Sequence, residues 1–325
     1  MNRNVRLPDT AVISITERCN SRCTFCKIWE IGDPSDFDCA LIDKLPSSLK
    51  NIDLTGGEPL LHHDFEVIVK MLIGRNCDIM VVTNGLVQLN KFRDLWKLPN
   101  LGIRFSLDGM AEIHDTLRGI PGNYNKVLEQ IEYLKSDRFH NIGLSATFSD
   151  ANIDQISDLY RLSKQLEIQF GIMVVGNSET YYKKSDHAIN DVDKYAKRIW
   201  SIMIRELASF NIKKWGRVIY MSELIEFIKG KTKVLNCPAG SKSFFMKPNG
   251  EVYLCNMKNI LLGDLAKQTF DEIWYSESAD KARRFAQNCT EPCWTMCNAK
   301  SIILDNKKRY LRRTSWRLMK GLLGR

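Results

Sequence analysis

Three cysteines stand on one short loop, Cys19, Cys23 and Cys26, in the spacing Cys-x3-Cys-x2-Cys. Thiolates so grouped hold iron. Three of them bind three irons of a 4Fe–4S cube, whereas closed structural clusters use four cysteines. The fourth iron is then open to a small ligand, and such a cluster does chemistry as well as carrying electrons. Tetrahedral zinc is the alternative. Zinc sites usually join a C-x2-C pair to a second pair or to histidines, and no His lies near this loop.

The loop resembles the cluster loop of the radical S-adenosylmethionine (SAM) superfamily, which has this spacing and usually an aromatic before the third cysteine. Phe25 is that aromatic. The resemblance implies that the open iron takes the amino and carboxylate groups of SAM. It further implies that an electron from an external donor, such as flavodoxin or ferredoxin, splits SAM to methionine and a 5′-deoxyadenosyl radical. That radical abstracts a substrate hydrogen.

The elements that must position these thiols follow from periodicity. Short β-rich apolar runs at Ala11–Thr16, Asn51–Thr55, Asp78–Thr83, Leu101–Leu107, Asn141–Phe148 and Ile168–Val175 alternate with helical patterns. The helical patterns lie at Asp64–Ile73, Val87–Trp96, Asn123–Leu134 and Ile153–Leu166. Repeated βα units predict an α/β fold with a parallel sheet and outer helices. Six units suit a partial (β/α)6 TIM-like barrel, which is also the radical SAM core. Ligands of such folds bind at the C-terminal ends of strands, and Cys19 follows the first strand.

The same rule singles out the other strand ends. The second ends in Gly56-Gly57-Glu58-Pro59. The glycines allow close backbone approach and Glu58 can accept from an ammonium; alone, the run would read as a Gly-Pro turn. By resemblance it is the family's GGEP motif, which contacts the SAM amino group. Asn84 follows the third strand in a turn sequence and by resemblance faces the SAM pocket. Ser106 and Asp108 end the fourth, a hydroxyl and a carboxylate that suit a ribose, although Asp108 also suits a helix cap. The guanidinium of Arg118 is a natural fork for a carboxylate. The family's equivalent arginine often pairs with the carboxylate of SAM, and a solvated surface arginine is the bland alternative. Thr147 and Asn152 flank the fifth strand's end, where the family often has polar SAM contacts. Met173 reads first as a core methionine, with cover for an adenine as the alternative. The sequence names no catalytic base.

A second cysteine group runs from Cys237 to Cys297. Pro248-Asn249-Gly250 separates two apolar runs, the strongest short hairpin signal, and the hairpin brings Cys237 and Cys255 together at its open end. Cys289, Cys293 and Cys297 follow a helical stretch around Phe270–Ala286. Four sulfurs also suit zinc. Beside the first loop, Cys237-x12-Gly250-x4-Cys255 resembles the opening of SPASM and twitch domains. This implies one auxiliary 4Fe–4S cluster on Cys237, Cys255 and Cys297, with Cys289 or Cys293 as fourth ligand. Cys39 and Cys77 read as buried structural thiols.

The 325 residues, 44% hydrophobic, suffice for one large core and a smaller domain. The expected division is an extension at 1–10, the radical SAM core at 11–210, a bridge at 211–235, a cysteine-rich hairpin and helix domain at 236–305 and a basic tail at 306–325. Long helices are expected at His187–Phe210 and Ser222–Ile228. Grouped cysteines without a secretory leader point to a reducing cytosol, and no run is long enough to span a bilayer. The net charge of +9 favours an anionic partner. In the tail, eight Lys or Arg stand among Leu311, Trp316, Leu318 and Met319 with no acidic residue. That is either a helix docked on the protein or one lying on a membrane surface. Without a recognisable nucleic-acid module the sequence argues against nucleic acid.

By resemblance to twitch-type aminocyclitol dehydrogenases, the expected reaction is oxidation of a hydroxylated small molecule, sugar- or cyclitol-like, anionic or lipid-linked, with the auxiliary cluster as electron acceptor. Peptide or protein modification is the competing reading. The ten residues ahead of Ala11 leave no place for the leader-binding domain that peptide-modifying relatives often carry, which counts against it. A non-catalytic metal-binding protein is the alternative of another class.

Overall fold

The computed structural model describes residues 5–207, 215–230, 237–289 and 293–322. Six parallel strands form its core: β1 (Thr10–Ser14), β2 (Asn51–Thr55), β3 (Asp78–Thr83), β4 (Leu101–Ser106), β5 (Ile142–Phe148) and β6 (Gln169–Val174). They pair in sequence order, each with the next, through parallel registers such as Ile13 beside Leu54 and Phe105 beside Leu144. Several are buried almost throughout. In β5 Ile142, Gly143, Leu144, Ala146 and Phe148 are all inside, as a parallel strand covered on both faces requires.

The crossovers carry α1 (Leu41–Lys44), α2 (Phe65–Gly74), α3 (Ala111–Arg118), α4 (Asn123–Ser136) and α5 (Ile156–Gln165). Ile68, Val69 and Leu72 of α2 and Val127, Ile131 and Leu134 of α4 are buried at helical spacing. The predicted helix at Val87–Trp96 is instead two 3-10 turns, Leu89–Phe92 and Leu95–Lys97. Leu89, Leu95 and Trp96 are buried there, and Trp96 donates its indole N–H to the Leu89 carbonyl. The apolar spacing therefore recorded burial rather than a continuous helix. Helix α3 was not anticipated. It ends at Gly119, whose φ of +66° supplies the left-handed C-cap.

Beyond the core come α6 (Val192–Leu207), α7 (Trp215–Ile228), β7 (Ser243–Met246), β8 (Glu251–Tyr253), β9 (Leu261–Asp264), α8 (Phe270–Trp274), α9 (Glu277–Asn288), α10 (Met296–Asp305) and α11 (Lys307–Leu322). The expected helix from His187 begins later, at Val192, and its expected end at Phe210 lies outside the described residues. The helix expected at Ser222 starts earlier, at Trp215.

The Asn-Gly hairpin forms, with Phe245 opposite Tyr253 and Gly250 at φ +89°. It also does something the sequence did not foretell. Strand β7 pairs parallel with β1, Thr10 beside Ser243 and Ile13 beside Met246. The described strands therefore form one nine-stranded sheet in the order β6-β5-β4-β3-β2-β1-β7-β8-β9. Strand β1, which leads into the first cysteine loop, sits between β2 and β7. Cys77 is buried as expected, while Cys39 is only half-buried, its thiol 3.8 Å from Asp64.

Candidate active site and second cysteine site

The cysteine loop rests on the loop after β2. The Gly57 amide donates to the Thr16 carbonyl and the Glu58 amide to the Arg18 carbonyl, both at 2.8 Å. A Cβ on Gly56 would collide with the Thr16 carbonyl oxygen, and one on Gly57 with that of Arg18. The sequence suggested that these glycines admit a ligand; here they admit the cysteine loop's own backbone. Pro59 opens a 3-10 turn whose first free amide, on Leu60, is accepted by the Glu58 carboxylate at 3.2 Å.

Glu58 is fully buried. Its carboxylate also accepts from the Thr83 hydroxyl at 2.9 Å and the Asn84 amide at 2.7 Å. Burial pushes its pKa up to about 7, against the pull of these donors and of the Arg118 charge. Asn84 in turn donates its side-chain amide to Asn20, between the first two cysteines. The ends of strands β2 and β3 thus hold the loop through Glu58 and Asn84.

Arg118, at the end of α3, also meets the loop. Its Nε and Nη2 both lie 2.6 Å from Oδ2 of Asp108, which is wholly buried. Its Nη1 lies 3.7 Å from the Cys23 sulfur, and the guanidinium sits 5.1 Å above the Phe25 ring. The Arg118 carbonyl accepts from the Arg22 amide. Asp108 uses its other oxygen on the Thr147 amide at 2.7 Å, and its carbonyl accepts from Asn152 at 2.6 Å. Asp108 makes no helix cap; Met110 holds that position without a side-chain bond. Ser106 is half-buried at the end of β4, in register with Ser145. Met173, on β6, is half-buried.

Sequence reasoning missed a further layer. The segment after β6, residues 175–190, straps across the cysteine loop. The Tyr182 carbonyl accepts from the Lys27 amide, Lys184 donates to the Thr24 carbonyl at 2.8 Å, and His187 bonds the Phe25 carbonyl at 3.1 Å. The Tyr181 hydroxyl meets the Thr55 hydroxyl and the Gly56 carbonyl. Ser178 reaches the carbonyl of Asn256, next to Cys255. The rule that strand ends carry the site, applied to the sixth strand, would have found this segment.

The sulfurs have the setting that a metal–thiolate centre needs. Burial raises the Cys19 thiol to about 12 and the Cys26 thiol to about 11, while backbone N–H groups at Ser21 and Ile28 point at the two sulfurs and pull the other way. Such burial favours the protonated thiol, and were iron bound there the N–H donors would stabilise the thiolates that hold it. The pattern recurs at the second site. Burial pushes Cys237 up to about 11, opposed by the Ala239 amide and reinforced by the charges of Cys255 and Cys289. Burial likewise raises Cys255, opposed by the amides of Met257 and Lys258, with Cys289 again adding. Cys237 thus lies within electrostatic reach of Cys255 and Cys289, and Cys255 within reach of Cys289. Cys293 is half-buried beside them in sequence, and the Cys297 side chain lies outside the described residues.

The fold and the two thiol sites define a protein built to hold iron–sulfur clusters and SAM. Residues 13–163 match the radical SAM superfamily and residues 237–298 match the SPASM iron–sulfur cluster-binding domain. The chain belongs to the radical SAM superfamily and carries a C-terminal SPASM domain, a pairing that implies 4Fe–4S clusters and SAM. It is similar to the sporulation killing factor maturation protein SkfB of Bacillus subtilis (strain 168), 24% identical over 87% of this chain and 68% of that one. It is also similar to the AdoMet-dependent heme synthase of Methanosarcina barkeri, 25% identical over 91% of this chain and 90% of that one. Among solved structures it shares its fold with Streptococcus suis SuiB bound to S-adenosylmethionine. The TM-score is 0.66 at 14% identity, over 86% of this chain and 68% of that one.

Proposed function

We propose that this protein cleaves SAM reductively at the Cys19–Cys23–Cys26 site and removes hydrogen from an unactivated C–H bond of a peptide side chain, for a net two-electron oxidation. When bound, the cluster with SAM supplies the radical chemistry, with electrons from an external donor such as flavodoxin or ferredoxin. The residues named above do the rest. Glu58 is a buried acceptor for the SAM ammonium. Arg118 holds a fixed positive charge beside Cys23 and, through Asp108, orients the Thr147 backbone. Gly56 and Gly57 let the two loops meet. The strap over residues 175–190 shields the cysteine loop from water, while Cys237, Cys255 and Cys289, with Cys293 or Cys297, would hold one auxiliary cluster as electron acceptor.

The observation that carries the radical step is a three-cysteine loop braced by the buried Glu58 through Asn84 and Asn20, and by the buried Arg118 guanidinium at Cys23. The peptide is favoured because SkfB is named for the maturation of a killing factor, and a further SuiB structure contains its precursor peptide. A second reading, oxidation of a hydroxylated anionic small molecule such as a sugar or cyclitol, is favoured by the net charge of +9.

The test uses the anaerobically reconstituted protein with SAM, dithionite and extract from cells grown on deuterated medium, fractionated into peptides and small metabolites. Deuterium entering 5′-deoxyadenosine with the peptide fraction alone supports the first reading. Transfer from the small-metabolite fraction alone overturns it in favour of the second. No 5′-deoxyadenosine under any condition overturns both.

A further inference from the structure

The last helix has two faces, and only one is used by the fold. On the inner face of α11, Tyr310, Thr314 and Leu318 are buried. Arg317 reaches Glu223 of α7 at 2.6 Å and Glu226 at 3.8 Å, and Arg313 reaches Glu223 at 3.4 Å. Glu223 is itself buried. These buried ion pairs fix how the helix is rolled, so what points outward is set by the body of the protein.

The outward face carries Trp316, 55% exposed, Met319, 56% exposed, and Leu311, 40% exposed. Lys308, Arg309, Arg312 and Lys320 are exposed around them. Among the described residues none of these four cations has an acidic partner; Lys320 instead sits 4.4 Å above the Trp316 ring. A face kept only for solubility would have no reason to expose an indole and a methionine beside unpaired cations. Large apolar side chains ringed by long basic ones suit the boundary between headgroups and acyl chains.

We propose that the outward face of α11 docks on an anionic lipid bilayer. Trp316, Met319 and Leu311 enter the interface while Lys308, Arg309, Arg312 and Lys320 meet the headgroups. The inner arginines hold the helix to the catalytic body, and the whole enzyme is thereby carried to the surface. No described helix is long and apolar enough to cross a membrane, so the contact is peripheral. Nucleic acid is the other polyanion such a face would meet, but its grooves do not reward the apolar triplet.

The experiment is flotation of the full reconstituted protein with phosphatidylglycerol vesicles and with phosphatidylcholine vesicles. Association with the anionic vesicles alone is expected. It should weaken about tenfold or more in Lys308→Glu/Arg312→Glu and in Trp316→Ala/Met319→Ala. Lys91→Glu/Lys197→Glu, the same charge change on exposed lysines elsewhere, should retain it. Circular dichroism and iron content matching the wild type confirm that each variant is folded. The proposal is overturned if the wild type does not float with anionic vesicles, or if the control variant loses binding as much as the α11 variants. It is equally overturned if Trp316→Ala/Met319→Ala binds unchanged, or if a single-stranded oligonucleotide is bound with the same dependence on all three variants.

Discussion

Arg118 places a permanent cation between Asp108 and Cys23, with almost no solvent to replace it. Arg118→Met strands a buried carboxylate, and urea unfolding of the metal-free protein should show a loss of about 3–5 kcal/mol. The double variant with Asp108→Asn should recover part of that loss. The neighbouring His114 makes a second prediction. It is fully buried, accepting the Asp108 amide at Nδ1 and bonding Asn123 through Nε2, so its neutral form is satisfied. Burial, with the Arg118 charge, lowers its pKa to about 4. The unfolded chain therefore binds the proton first. The His114 contribution is intact above pH 6.5 and is lost as the pH falls toward 4, by at most about 3 kcal/mol. The difference in unfolding free energy between wild type and His114→Gln should shrink across that window; a constant difference would contradict it. The cysteines and Glu58 were legible because their types and spacing are local. The pairing of Asp108 with Arg118 was not, because ten residues and a helix separate them and an isolated Asp reads equally well as a cap or a ribose acceptor.

At the scale of elements, the site is loops set against loops. The turn after β2 must lie against the cysteine loop, and Gly57 is where the fit is tightest. Gly57→Ala should push the loops apart, destabilising by about 1–3 kcal/mol and lowering iron uptake at the first site. Gly74→Ala, whose new Cβ meets nothing, should change stability by less than about 0.5 kcal/mol. Equal effects of the two substitutions on iron content would contradict the account. The strands and most crossovers were readable from apolar periodicity. The segment Val87–Trp96 was not, since buried Leu89, Leu95 and Trp96 satisfy helical spacing while their backbone forms short turns. The place of the strap after β6 follows from the strand-end rule, but its contacts do not: Tyr181, Lys184 and His187 reach backbone carbonyls of Gly56, Thr24 and Phe25, and a carbonyl carries no side-chain signature in the sequence.

At the scale of the whole molecule, the two thiol sites grow from one sheet, from strands with only β7 between them. The first follows β1, and Cys255 lies two residues beyond β8, in the hairpin that β7 joins to β1. The strap adds a side-chain bridge, with Ser178 at Asn256 and Lys184 and His187 at Thr24 and Phe25. A hairpin motif predicts its own two strands, but its partner is chosen by tertiary packing, so this union could not be read from the sequence. The most direct measurement of the central claim is iron and sulfide per chain after anaerobic reconstitution, for the wild type and for Cys19→Ala/Cys23→Ala/Cys26→Ala, each assayed for 5′-deoxyadenosine. About eight irons falling to about four, with loss of 5′-deoxyadenosine, is the predicted result. About four irons in the wild type and none in the variant would contradict it, because the second group of cysteines would then hold no cluster to accept the electron.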